Sequence, residues 1–262
     1  TRMIIYLLIL LPLIYLIWLV IIITAWGKVM EDTPDDNYSE KVEVIIPVRN
    51  EADHLGPLLG DLDRQDYPGN LFNVIVIDDS SSDDTAGLVK QYQQHVHYSL
   101  QYKLIRNRNS LQGGDLPGKK SAITLAVESS NAEIILQTDG DCRVGQHWIS
   151  SMVSSFRFQG SKFVAGPVIY NESGSLFLQL LQMDIASLVS VSAAMVQLGI
   201  PIICNGACMA FRKDAFIEAK GFSDNAEIPS GDDSFLMQKI NKLNQGSVRF
   251  CKSSDALVKT VP

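Results

Sequence analysis

The chain has 262 residues, 46% of them hydrophobic, and a formal net charge of −7. That is enough apolar material for one full α/β-sized core, and an acidic chain without a Lys/Arg-rich run or basic stripe argues against nucleic acid as a partner. The cysteines, at 142, 204, 208 and 251, form no Cys-x-x-Cys pair and have no histidine at zinc-finger spacing, so they read as reduced, partly buried thiols on the cytosolic side of a membrane.

The membrane is implied by residues 3–26. Met3 to Ile23 contains no charge, and with Thr24, Ala25 and Trp26 the stretch slightly exceeds the roughly 20 residues a spanning helix needs. A signal peptide has a shorter apolar region and a small-x-small cleavage site, which Ile23-Thr24-Ala25-Trp26 does not supply, so the stretch reads as an anchor. Residues 27–40, with the acidic, proline-containing run Glu31 to Tyr38, read as a linker, and 41–262 as the functional domain.

Val42 to Val48 (VEVIIPV) is a β-branched run of the kind buried on both faces of a parallel sheet. A helical stretch follows through Leu55, Leu58, Leu59 and Leu62. Asn73 to Ile77 is a second buried strand, ending at Asp78-Asp79, and a helix runs on toward Gln94. Tyr102 to Ile105 reads as a third strand, and a glycine-rich loop at 113–118 precedes a helix from Lys119 to Ser130. The strand Ile134-Ile135-Leu136 then runs into Gln137-Thr138-Asp139-Gly140-Asp141. This alternation, with polar residues at successive strand ends, predicts an α/β fold with a doubly wound, mainly parallel sheet flanked by helices and preceded by the anchor helix. Further on, strands are predicted over Lys162–Val168, Ile202–Arg212 and Gly246–Cys251, and a helix from Asp233 toward Leu243. Ser175 to Leu198 is a long helical candidate whose Gln179, Gln182, Asp184 and Gln197 favour a buried or interfacial helix over a second span.

Asp139 and Asp141 at a strand's carboxyl end reach the crevice where open α/β sheets bind ligands, and oxygen-only ligands there suit Mg²⁺ or Mn²⁺. Asp-Gly-Asp is also ordinary turn chemistry, and any one of the clusters, Asp78/Asp79 and Asp232/Asp233 included, reads when taken alone as a solvated turn or a helix N-cap. Three such clusters in one α/β frame would repel one another unless a cation or a donor-rich ligand compensated them. Gly113 to Ser121 fails as a P-loop because Lys120 stands where Ser or Thr is required; Lys119 and Lys120 at a helix start could still meet a diphosphate.

Taken in order, Val44-Ile45-Ile46-Pro47-Val48-Arg49-Asn50-Glu51, Val76-Ile77-Asp78-Asp79-Ser80-Ser81-Ser82-Asp83-Asp84-Thr85, Pro117-Gly118-Lys119-Lys120-Ser121-Ala122, Thr138-Asp139-Gly140-Asp141, Asn205-Gly206-Ala207 and Gly231-Asp232-Asp233 resemble the family-2 glycosyltransferases over residues 42 to about 250. The resemblance implies a GT-A fold and inverting, hexosyl-type transfer from a nucleotide-sugar donor, UDP-linked, to a hydroxyl on a lipid, polysaccharide or protein acceptor at the cytosolic membrane face. Carried over to this chain, Pro47, Arg49, Glu51 and Asp79 would line the nucleotide pocket, with Lys119 or Lys120 near the donor. Asp139 and Asp141 would hold Mg²⁺ or Mn²⁺, Asp139 also touching the donor, and Asp233 would be the catalytic base. Asp78, Asn205, Gly206 and Asp232 are secondary candidates. The membrane members' Gln/Arg-x-x-Arg-Trp motif does not occur before Pro262, so the expectation is a truncated product or fragment. The alternatives are a catalytically incomplete, nucleotide-sugar-binding or scaffolding membrane subunit and, further off, an aspartyl-phosphate hydrolase, which would want Thr or Val where Arg143 stands.

Overall fold

A computed structural model describes residues 2–31, 38–105, 118–171, 174–223 and 231–261. Residues 32–37 of the linker and the loop residues Gly113 to Pro117 lie outside the described residues.

Helix α1 (Arg2–Lys28) is followed by the expected alternation: β1 (Val42–Val48), α2 (Leu55–Leu62), β2 (Phe72–Asp78), α3 (Thr85–Tyr92), β3 (Ser99–Leu104), α4 (Gly118–Ser129) and β4 (Ile134–Gln137). After them come α5 (Trp148–Ser154), β5 (Phe163–Ala165), β6 (Val168–Tyr170), α6 (Leu176–Gln197), β7 (Met209–Arg212), α7 (Lys213–Glu218), α8 (Asp232–Leu243), β8 (Val248–Phe250) and β9 (Val258–Thr260).

The main sheet has seven strands in the order β3-β2-β1-β4-β7-β5-β8. β3, β2, β1 and β4 are parallel, as are β5 and β8, while β7 runs antiparallel to both neighbours. Side chains alternate along β1. Val42, Val44, Ile46 and Val48 pack with α2, α3 and α5, and Ile45 packs on the opposite face with α4, α7 and α8. Burial on both faces is what the unbroken apolar run of β1 encodes.

Two expected strands are shorter than their apolar runs. The run Lys162–Val168 splits into β5 and β6, which belong to different sheets; Pro167 has no N–H to continue the ladder, and β6 turns away to pair with β9. Of Ile202–Arg212 only β7 is strand, because residues 202–204 bond to helices instead: Ser192 Oγ donates to Ile203 O, Gln238 Nε2 to Ile202 O at 2.7 Å, and Cys204 N to Ser234 Oγ at 3.1 Å. The helices α5 and α7 and the strand β9 are too short for their periodicity to stand out in the sequence.

Among the described residues, two helices are long and apolar enough to cross a membrane, over Leu8–Lys28 and Leu176–Gln197. The carboxyl end of α1 is not spaced away from the domain. Its Ile22 and Ala25 pack on Ala194 of α6, and Trp26 meets Phe250 edge-on at 6.5 Å between ring centroids.

One buried charge is poorly served by this core. Glu43 on β1 is 3% exposed, and it accepts a hydrogen bond from Ser130 Oγ while its Oε1 has no partner. Burial raises its pKa above the ordinary 4.5 despite the opposing effects of Ser130, Lys103 and Lys213. The fold therefore favours the protonated acid. The associated stability is complete below the unfolded pKa and is lost as pH rises through the folded one. Glu43→Gln is expected to raise the melting temperature by a few degrees at neutral pH and to change it little at about pH 4 or below; thermal unfolding at both pH values checks this, and equal shifts would contradict it.

Candidate active site

The site lies where the sheet order reverses, between β1 and β4, at their carboxyl ends. That is the usual ligand crevice of an open α/β sheet. β1 and the turn after it bring Pro47, Arg49 and Glu51; the loop after β4 brings Asp139 and Asp141. The antiparallel β7 pairs Met209 with Gln137, so the residues preceding it, Asn205 and Gly206, arrive at this same edge.

The crevice concentrates negative charge. Gly140 packs so closely under Glu51 that a Cβ there would lie 3.1 Å from Glu51 Cγ and 2.9 Å from Val48 Cγ1. Burial raises the pKa of Glu51; the His54 hydrogen bond pulls it down, and Asp141 and Asp139 push it up again. From the other wall, α8 opens with Asp232 and Asp233 directly after Gly231, the N-cap residue at φ 83°. Asp233 is therefore not the cap. Its pKa is raised by burial first and then by Asp139 and Asp232, against the lowering effects of Lys119 and Gln137.

Two lysines from the first turn of α4 offset this charge. Lys119 Nζ sits 2.7 Å from Asp139 Oδ1. Burial lowers the pKa of that ammonium, but Asp139, Asp233 and Asp232 together outweigh burial and hold it above its ordinary value. Lys120 turns inward instead: it is buried and pairs with Asp232 Oδ1 at 2.8 Å, bracing the start of α8. Of the two lysines expected near the donor, only Lys119 faces the crevice.

Asp233 is fixed from behind by a residue without a side chain. A Cβ on Gly206 would lie 2.3 Å from Asp233 Oδ2, so backbone and carboxylate touch. Gln137, fully buried, donates through Nε2 to Gly206 O at 3.0 Å, and its amide also lies within hydrogen-bonding reach of Asp233. Asn205 shapes this loop, its Oδ1 accepting from Ala207 N at 2.9 Å.

The side of the crevice beyond β1 and β2 is built on paired loops. Asn50, at φ 58°, donates from its N–H to Ser81 Oγ and accepts through Oδ1 from Ser82 N, and Ala52 N donates to Asp83 Oδ2 at 3.0 Å. Asp79 lies at the amino end of α4, where a Cβ on Gly118 would come within 2.7 Å of its Oδ2. Its neighbour Asp78 is turned away, its carboxylate accepting from Ser81 N and from Tyr102 OH. Asp78 thus holds the loop's shape and does not face the crevice. Pro47 is half-buried and Arg49 exposed at the rim.

As a cation site, Asp139 and Asp141 offer oxygens on one loop. Asp141 has only long contacts, from Cys142 Sγ at 3.5 Å and from Thr260 Oγ1 at 3.4 Å, so its oxygens remain available. No group of three or more His, Cys, Asp or Glu able to hold a metal occurs among the described residues. The donor set fits a cation that takes its remaining ligands from water and substrate phosphates, the habit of Mg²⁺. The loop itself is pinned: Arg143 forms a fork on buried Asp61, Nε to Oδ2 at 2.5 Å and Nη2 to Oδ1 at 2.8 Å, and exchanges backbone hydrogen bonds with Lys259. Cys142, buried beside both aspartates, has its thiol pushed up to about 12, an inert group at neutral pH.

Gln137 and Thr260 were not among the expected site residues. Gln137 carried a legible signal, a polar side chain closing an otherwise apolar buried strand. Thr260 carried none, because only the fold brings it beside Asp141.

The family model for glycosyl transferase family 2 matches residues 43–219. The chain belongs to that family. It is 32% identical over 127 residues to glycosyltransferase AglE of Haloferax volcanii, covering 48% of this chain and 39% of AglE. Among solved structures it resembles mannosyltransferase PcManGT from Pyrobaculum calidifontis in complex with GDP-Man and Mn²⁺, with TM-score 0.72, 24% identity, and coverage of 93% of this chain and 64% of that one. It also resembles TarS of S. aureus in complex with UDP-GlcNAc, with TM-score 0.61, 17% identity, and coverage of 85% and 58%. These likenesses establish the GT-A fold for this family 2 chain, which spans less than two thirds of each of these relatives.

Gly206→Ala is expected to displace Asp233 and to cut the glycosyl transfer expected of a family 2 chain at least tenfold while the circular-dichroism spectrum and melting curve stay close to those of the parent. Unchanged transfer would mean that the contact between Gly206 and Asp233 does not position the carboxylate.

Proposed function

We propose that this chain is the catalytic part of an inverting glycosyltransferase that moves a sugar from a nucleotide-sugar donor to a hydroxyl acceptor by single displacement. The observation that carries the reading is the arrangement around Lys119, an ammonium between Asp139 on the donor side and Asp233 on the other, in a crevice at the sheet's switch point. A carboxylate of raised pKa, fixed by Gly206 and Gln137, is suited to taking the proton of an attacking hydroxyl. Lys119 is suited to the charge that builds on a leaving diphosphate.

Arg49, Glu51, Pro47 and Asp79 line the nucleotide end of the crevice in this reading. The GDP-Man and UDP-GlcNAc bound in the two structural neighbours support a nucleoside diphosphate sugar as donor class, and our reading is a UDP-linked one. Asp139 and Asp141 would hold Mg²⁺ or Mn²⁺, which supplies charge neutralisation on the diphosphate; the Mn²⁺ in the PcManGT complex supports this. With α1 as a membrane anchor, the domain faces the cytosol, where sugar nucleotides are made and where its free cysteines stay reduced.

The test is Asp233→Asn in an active full-length chain. Asn keeps the shape but is too weakly basic to take the proton, so turnover should fall by roughly a hundredfold to ten-thousandfold with donor affinity retained. Because Gly231 is the N-cap, helix capping offers no alternative explanation for such a loss. Unchanged turnover would remove Asp233 as the base.

A further inference from the structure

The acceptor side of the crevice is apolar. A cavity of about 280 Å³ opens beside Asp233, with Asn205, Gly206 and Ser234 at its polar end and Ile185, Leu188, Val189, Ile203 and Phe250 along its walls. Three of those wall residues come from α6, whose outer side is exposed among the described residues: Phe177 is 68% exposed, Met183 69% and Leu188 49%. The loop after α6 continues the surface with Ile200 and Ile202, both more than half exposed.

We infer that the acceptor is a hydroxyl-bearing amphiphile drawn from a lipid bilayer, its hydrocarbon lying against α6 and its head group reaching Asp233 through this cavity. The inference rests on the transferase reading above and specifies its acceptor class. A soluble saccharide would gain little from walls of Ile, Leu, Val and Phe, whereas a hydrocarbon gains free energy in proportion to the apolar surface removed from water.

Continuity with α1 identifies the bilayer as the source. α1 is long and apolar enough to span, and it packs directly on α6 through Ile22, Ala25 and Ala194. A membrane that takes up α1 therefore meets the exposed side of α6. At the junction, Lys252 Nζ stands 4.9 Å from the centre of the Trp26 ring, and Lys28 ends α1, an aromatic and basic pairing suited to the head-group layer. The reaction balances simply. The acceptor oxygen bonds to the anomeric carbon, the bond from that carbon to the diphosphate oxygen breaks, Asp233 receives the hydroxyl proton, and the electron pair leaves on the nucleoside diphosphate.

The test uses the full chain in vesicles of phosphatidylcholine and phosphatidylglycerol, with two readouts. The first needs no donor: a tryptophan introduced by Leu188→Trp should be quenched by phosphatidylcholine brominated along its acyl chain, beyond the quenching of the parent's own tryptophans. The second supplies radiolabelled UDP-GlcNAc, UDP-glucose or GDP-mannose with a lipid extract. Label should enter the organic phase, and Leu188→Trp and Leu188→Asp should each lower it at least tenfold while the donor's dissociation constant holds within twofold. No added quenching, or label found only in water-soluble product, would overturn the lipid acceptor while leaving the transferase standing. Quenching without any donor binding by the parent would instead remove the transferase reading, and the acceptor with it.

Discussion

Crowded carboxylates at one sheet edge are the constraint on which the rest of the structure depends. Glu51, Asp139, Asp141, Asp232 and Asp233 converge on one crevice; among the described residues Lys119 pairs with Asp139 at its face and Lys120 with Asp232 in its wall. Like charges at such range raise one another's proton affinity unless cations intervene. Lys120 is committed to Asp232 in a buried pair, whose disruption would leave an uncompensated charge. Lys119 is half-exposed, and its pair with Asp139 can open when a ligand of the right charge arrives. The fold thus holds one side of the crevice rigid and leaves the other exchangeable.

Rigidity comes from elements remote in sequence. β7 runs against its neighbours and so delivers Gly206 to Asp233, while Gln137 bonds across from β4. β9 leaves the main sheet, pairs with β6, and fastens the loop after Asp141 through Arg143 and Lys259. Arg143, which occupies the position where a phosphohydrolase would carry Thr or Val, is here the clamp between that loop and Asp61. A carboxylate pair aimed at a shared ligand needs such support because loops alone hold positions loosely.

The sheet was legible because β1, β2 and β4 are apolar or β-branched runs, and the aspartates at the ends of β2 and β4 marked the crevice. Asp139, Asp141, Glu51, Lys119 and Asp233 do meet there. What the sequence could not convey were roles decided by direction. Asp78 and Asp79 are adjacent and chemically identical, yet alternation along the strand turns Asp78 inward to Ser81 and Tyr102 and leaves Asp79 beside Gly118. Lys119 and Lys120 diverge for the same kind of reason on a helix. The break at Gly166-Pro167 and the coil before Met209 were hidden because hydrophobicity alone does not separate a strand from a packed loop.

The central claim is that a nucleoside diphosphate and a divalent cation complete this crevice together. Calorimetric titration of the full chain with UDP and with GDP, in Mn²⁺ and again in chelator, tests it most directly. The account predicts that Mn²⁺ tightens binding of at least one of the two nucleotides tenfold or more, and that Asp141→Ala abolishes the difference. Equal affinity in Mn²⁺ and in chelator for the unmodified chain would contradict it.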